Sequence, residues 1–271
     1  MIKQVFIQIT TVAAAAFTLL LAAGCAVNEM PADITLDELE EKMARAMDPN
    51  QTYRNAQAYF QRQNIEEEEL FGVRHQLVEV RFQRPDKFKL SYYKKHNAAT
   101  EIVSSNGRAW LVNHEKGVTS EITGTALAKV KIMLALGHPD TDYDKLFKRV
   151  DMSLVELEDD RQYYKLVCHV DLAKSHPIII YIDRTDYLPK RMIVTVNTPD
   201  GEVHSESFIE QYQKFNDITV PALTRVKEGT REYTTRVVGY QLNSPFDDGT
   251  FQVPEFDPVL QEIKKQKSRR R

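Results

Sequence analysis

His204, Ser205, Glu206 and Ser207 are consecutive and are the residue types of a nucleophilic relay. The surrounding sequence alternates like a strand, so His204 and Glu206 point to one face and the two serines to the other; no local relay forms. Asp140-Thr141-Asp142-Tyr143-Asp144 spaces carboxylates like the start of a calcium loop, but Lys145 stands where the sharp turn needs glycine. An aspartate-rich helix start explains that cluster through capping and the helix dipole. Glu66 to Glu69 are four adjacent carboxylates and read as a solvated loop. The seven histidines are scattered without ligand spacing. HExxH, GxSxG, P-loop, dinucleotide and CxxC patterns are all missing. No catalytic residue, metal or cofactor is therefore assigned, and the chain does not read as an enzyme. A net charge of −3 over 271 residues makes no case for nucleic acid. Two cysteines, Cys25 and Cys168, cannot build a disulfide framework.

The two ends differ from the middle. Lys3 is the only charge before residue 29, and residues 11–23 are an apolar run shorter than the ~18 residues that favour a membrane span. A basic start, a short apolar core and small residues after it predict an export signal over residues 1–24. Leu21-Ala22-Ala23-Gly24-Cys25 resembles the bacterial lipobox, which makes Cys25 the expected acylated residue and membrane anchor. Ala26, rather than Asp, resembles an outer-membrane address. Residues 25–33 are expected to be a tether, 34–258 a single domain, and 259–271 a disordered basic tail. From Lys264 to Arg271 the tail carries six positive charges, against a net −10 for residues 25–263. Such a block is a candidate contact for anionic headgroups or lipid A phosphates.

In the domain, Thr35-Leu36-Asp37-Glu38 is a capping box, and Leu36, Leu39, Met43 and Met47 form one helical stripe that Asp48-Pro49-Asn50 ends. The period then changes to two. Val78, Val80 and Phe82 alternate with Glu79 and Arg81, and Phe88, Leu90 and Tyr92 with Lys89 and Ser91. Asn106-Gly107 predicts a tight hairpin before Trp110, Leu111 and Val112. Residues 125–136 predict a helix that is apolar on most sides, with Leu127, Val130, Met133 and Leu134, ended by Gly137 as C′ residue. A short helix at 142–149 follows. Strands resume near 150, with Cys168 buried in one of them, for about ten or eleven strands in all. The expected fold class is mostly β: one curved antiparallel sheet with an N-terminal helix and a helical lid on its concave face.

Several segments resemble, in order, the LolA/LolB type of lipoprotein-sorting protein. They are Arg84-Pro85-Asp86-Lys87-Phe88-Lys89-Leu90, the hairpin Ile102 to Trp110, Tyr181-Ile182-Asp183-Arg184 with Leu188-Pro189-Lys190-Arg191, Glu210 to Pro221, and Asn243 to Pro254. The resemblance spans roughly residues 34–254. It implies an unclosed β-barrel whose helical lid covers an apolar cavity for acyl chains. It implies that Arg84 ties the sheet to the lid. The cavity candidates are Phe88, Leu90, Tyr92, Trp110, Leu111, Leu127, Val130, Met133 and Leu134. Trp110 stands three residues after the hairpin glycine, one short of the family's tryptophan, and Leu111 takes the matching place; one residue changes the face a side chain uses.

The expectation is an acylated envelope protein, outer-membrane-bound and facing the periplasm, that binds acyl chains of lipids or lipoproteins. A protein-binding sensor or scaffold of the same fold is the alternative. A cavity of several hundred Å³ beneath the 125–136 helix favours the first; a filled interior favours the second.

Overall fold

The computed structural model describes residues 29–256 apart from 70, 71, 95, 158, 173, 174, 199 and 200. The signal, Cys25 and the basic tail lie outside the described residues.

The chain begins with strand β1 (Glu29–Pro31), helix α1 (Leu36–Met47) and the single turn α2 (Thr52–Asn55). Six strands follow: β2 (Ala58–Glu69), β3 (Gly72–Gln83), β4 (Lys87–Lys94), β5 (Asn97–Ser105), β6 (Arg108–Asn113) and β7 (Val118–Ile122). Helices α3 (Gly124–Leu136) and α4 (Tyr143–Leu146) come next. The remaining strands are β8 (Arg149–Glu156), β9 (Gln162–His169), β10 (Ile178–Asp183), β11 (Pro189–Thr198), β12 (Gly201–Phe215), β13 (Ile218–Glu228) and β14 (Arg231–Leu242).

The strand count exceeds the sequence expectation because β1 is too short to show alternation and because β2 includes Glu66 to Glu69, expected as a solvated loop. They pair with Gly72 to His75 of β3, and Glu67 is buried against Arg74 and Arg231. Residues 29–31, expected in the tether, pair with Ser153–Val155 of β8. Asp33 is also committed: its carboxylate accepts from the Tyr164 hydroxyl at 2.8 Å and from Arg184 at 2.6 Å. Ordered chain therefore starts earlier than residue 34.

All fourteen strands form one antiparallel sheet in the order β1-β8-β9-β10-β11-β12-β13-β14-β2-β3-β4-β5-β6-β7. β1 and β7 are edges that do not meet, so the barrel is unclosed. Most neighbours are hairpins, such as β5–β6, whose Asn106 and Gly107 both have positive φ (52° and 72°), as a two-residue primed turn requires. Register shifts in β4–β5, β10–β11, β12–β13 and β14–β2 add local twist and curvature.

The strand order explains the helical lid. The chain leaves β7 at one edge and must start β8 beside the other, and α3 and α4 lie in that crossover. A helix crossing between two walls has apolar neighbours on more than one side, which fits its uniform composition. Gly137, expected as a left-handed cap, instead has φ −76°, and the last turn closes by bonds from the Gly137 N–H to the Leu134 carbonyl and from the His138 N–H to the Ala135 carbonyl.

α1 behaves as its sequence predicts. Thr35 and Glu38 cap each other reciprocally, with the Thr35 N–H donating to Glu38 at 2.8 Å. Leu39 and Met43 are buried on the sheet, where each contributes about 1.5–3 kcal/mol.

Candidate functional site

Two apolar clusters occupy the concave side. The first joins α1, α3 and α4 to β8–β10 through Leu39, Met43, Ile132, Tyr143, Leu154, Tyr164, Leu166, Cys168, Ile178 and Ile180. The second joins α2 to β2–β4 and β13–β14 through Tyr53, Tyr59, Phe82, Phe88, Ile218, Val220 and Tyr240. Aromatic rings fill the second: Tyr59 stacks on Phe82 at 5.3 Å and on Tyr240 at 5.7 Å.

α3 straddles the two. Ile132 packs with the first cluster and Leu134 with the second. Along the helix, Lys129, Ile132, Met133 and Leu136 form one stripe, and Leu127, Val130 and Leu134 another. Ile132 alone is buried in this helix, and Met133 is 72% exposed.

Between α3 and β10–β13 lies a cavity of about 610 Å³. Its apolar lining comes from Met43 and Met47 of α1, Ile132, Met133 and Leu136 of α3, Ile178 and Ile180 of β10, and Met192 and Val194 of β11. The far wall is more polar, with Ser205, Ser207, Ile209 and Tyr212 of β12, Thr224 and Val226 of β13, and Tyr233 of β14. The serines therefore face the interior. His204 lies on the other face, where its Nδ1 meets the Thr195 hydroxyl at 2.8 Å. No nucleophilic relay exists at this position. Among the described residues no group of three His, Cys, Asp or Glu side chains could hold a metal ion.

The expected cavity residues are largely elsewhere. Of the nine, Met133 lines this cavity. Phe88 is buried in the aromatic cluster, and Leu90 packs against it. Tyr92 sits in register between Val78 and Thr100 on the same concave face; burial, then the nearby Glu228 carboxylate, raise its pKa. Leu111 shares that face but is 42% exposed, and Leu127 and Val130 are half-buried along the Leu134 stripe. Trp110 is on the outer face. Arg108 stacks over its ring at 5.0 Å, and a shallow groove there is bordered by Val253, Pro254 and Phe256. The pairing Leu90–Ile102–Leu111 puts Leu111 inward, so its neighbour Trp110 must point out.

Arg84 reaches the segment just past α3. It donates to the Ala56 carbonyl at 2.9 Å and lies 3.5 Å from the Asp140 carboxylate. Beside it, His138 packs edge-on against Phe82 at 4.8 Å and touches Tyr53 and Tyr59. Its Nε2 and the Tyr53 hydroxyl are buried and find no hydrogen-bond partner among the described residues. Burial pushes the His138 pKa down to about 4, with Asp140 opposing and Arg84 reinforcing. At the cavity wall, burial raises Glu40, although the Tyr143 N–H donates to it at 2.8 Å. The Tyr212 hydroxyl donates to the Pro189 carbonyl. Composition could not have found the β11–β13 lining, because the Glu202-Val203-His204-Ser205-Glu206-Ser207 start of β12 reads as a polar strand; the register places Ser205 and Ser207 inside.

No protein-family model matches the sequence, and no curated protein matches it. Solved structures do match in fold. A LolA-superfamily protein from Nitrosomonas europaea superposes with a TM-score of 0.54 at 11% identity, over 81% of this chain and 98% of that one. A putative outer-membrane lipoprotein-sorting protein domain from Vibrio parahaemolyticus gives 0.56 at 9%, over 79% and 95%. A DUF1329-family protein from Desulfovibrio piger gives 0.55 at 11%, over 80% and 96%. The chain has the LolA/LolB-like fold: an unclosed antiparallel barrel with a helix across its mouth.

Proposed function

We propose that this protein is an envelope lipoprotein, anchored through Cys25, that binds the acyl chain of a lipid or lipoprotein and serves its sorting towards the outer membrane. The supporting observation is the cavity of about 610 Å³, lined by methionine and branched aliphatic side chains beneath α3. Its volume is within the range of small-molecule sites, ~300–1,000 Å³. Binding needs no covalent chemistry: each Å² of apolar surface removed from water contributes about 25 cal/mol. Flexible methionines at positions 43, 47 and 192 suit a chain of variable shape. The likeness in fold to a lipoprotein-sorting domain agrees with this reading. The basic tail at 264–271 would add contact with anionic headgroups.

Native mass spectrometry of the protein taken from its own membrane tests it: co-purifying acyl lipid is expected. Ile180→Asp, which puts a carboxylate in the aliphatic wall, should remove that lipid. Absence of bound lipid, together with no uptake of acyl probes, would reject the proposal in favour of a protein-binding scaffold.

A further inference from the structure

The cavity is chemically graded from one end of the strands to the other. At the end formed by the β11–β12 and β13–β14 hairpins, Ser205 is in register between Val194 and Glu228, and Thr195 pairs with His204. β10 runs antiparallel beside β11, and extending its register brings Ser175 and His176 to this same end. The His176 side chain contacts Glu202 at 3.0 Å, and both are partly exposed, as is Glu228. This end is the wet rim. Further in, Ser207 and Thr224 continue the polar wall. Towards the other end lie Tyr212, which pairs with Pro221, and the buried Tyr143. Across the cavity are Met43, Ile132, Ile180 and Met192.

The hydroxyls of Ser205, Ser207 and Thr224 take no partner in the hydrogen bonds among the described residues, although all three line the cavity. Hydroxyls facing an otherwise apolar space need a partner, supplied by water or by the occupant. Serine at two successive inward positions of β12, where aliphatic residues would close the wall, leaves acceptor and donor groups about 7 Å apart along the strand. That spacing suits the ester or amide linkage and the adjoining hydroxyl of an acyl amphiphile. Charge narrows the head group further. Glu228 lines the rim and lies 3.6 Å from Arg231, which does not line the cavity; Glu202, held by His176, is not a lining residue; and among the described lining residues the one Lys is Lys129 on α3. An anionic head would meet the Glu228 carboxylate there, with Arg231 on the side away from the lining.

Resting on the proposed acyl-binding role, we infer that the ligand is a single-chain amphiphile with an uncharged, ester- or amide-linked head. It lies tail-inward under α3, with its linkage on Ser205, Ser207 and Thr224. A free fatty acid anion is the wrong head for this rim.

The test uses the full chain stripped of co-purified lipid, with displacement of the neutral probe N-phenyl-1-naphthylamine. Monopalmitoylglycerol should displace it several-fold more tightly than palmitate at pH 7.5. The double substitution S205A/S207A should weaken monopalmitoylglycerol about tenfold, the loss of two ordinary hydrogen bonds, and leave affinity for the probe itself within about twofold. E228Q should narrow the preference over palmitate, and an unchanged circular dichroism spectrum checks folding. Equal affinities for the two lipids, or a double variant that binds monopalmitoylglycerol unchanged, would overturn the inference while leaving acyl binding intact. If neither lipid nor the probe binds the native chain, the acyl-binding role itself fails, and this inference with it.

Discussion

The two halves of the concave face are built from similar strands and put to opposite uses. Beside β2–β4, inward positions carry large aromatic rings, and Tyr53, Tyr59, Phe82, Phe88 and Tyr240 interlock into a filled cluster. Beside β10–β13, inward positions carry isoleucine, methionine, valine, serine and threonine, and the same sheet curvature leaves about 610 Å³ of space. The difference is one of side-chain volume against a fixed wall spacing. Rings span the gap between sheet and lid; aliphatic and hydroxylated side chains do not. A packed half supplies rigidity, and an underpacked half leaves room for an occupant.

The contrast breaks most visibly by truncation. Phe82→Ala removes a ring from the filled half, where its neighbours cannot collapse, and should cost about 3–5 kcal/mol in denaturant unfolding. Met192→Ala, in the wall of the open half, should cost about 2 kcal/mol or less, near or below the low end for methionine truncation, because that side chain already borders space. Comparable costs at the two positions would remove the distinction between the halves.

His138 sits where the halves meet, and its titration reads the filled side. Its folded pKa of about 4 is below the ordinary 6.5, so the unfolded chain binds the proton more readily. The stabilisation is therefore present above pH 6.5 and is lost as the pH falls from 6.5 to 4. Over that window it amounts to roughly 3 kcal/mol. Denaturant midpoints measured across it should fall with acid, and His138→Leu should flatten the slope. A native profile without slope would mean that the ring is solvated rather than packed on Phe82.

Arg84 provides a smaller perturbation. Its contact with Asp140 is partly exposed, so Arg84→Ala should cost about 1 kcal/mol or slightly more, including its bond to the Ala56 carbonyl. Its clearer signature is faster amide exchange across residues 124–137, with β2–β4 unaffected. Cys168 offers a chemical probe of the first cluster. Burial pushes its thiol up to about 12, so thiol reagents should leave the native protein unlabelled near neutral pH and react only on unfolding.

Much of the fold was legible. The capping box placed α1, Asn106-Gly107 placed a hairpin, and the change from period 3.6 to period 2 separated helices from strands. These signals are local and are written in adjacent residues. The edge strand β1 was not legible: three residues hold no periodicity, and its place is determined by hydrogen bonds to β8, 124 residues away between Met30 and Leu154. The site was legible in kind but not in position. Phe88, Leu90 and Tyr92 are the most conspicuous apolar alternation, and conspicuous side chains are large enough to fill the space they line. The residues that leave it open, such as Ser205 and Ser207, look like solvent-facing polar positions until the register turns them inward.

By itself the sequence determined the element types, the alternation of faces along each strand and the need of an all-round apolar helix for contact on several sides. Each follows from torsional preference and from side-chain periods of 2 and 3.6. Only the tertiary structure decided that β14 pairs with β2, that β1 and β7 are not neighbours, and that α3 packs against both clusters of the concave face. Those pairings join residues far apart in the chain, and they alone determine which inward faces oppose each other closely enough to pack and which stand apart around a cavity.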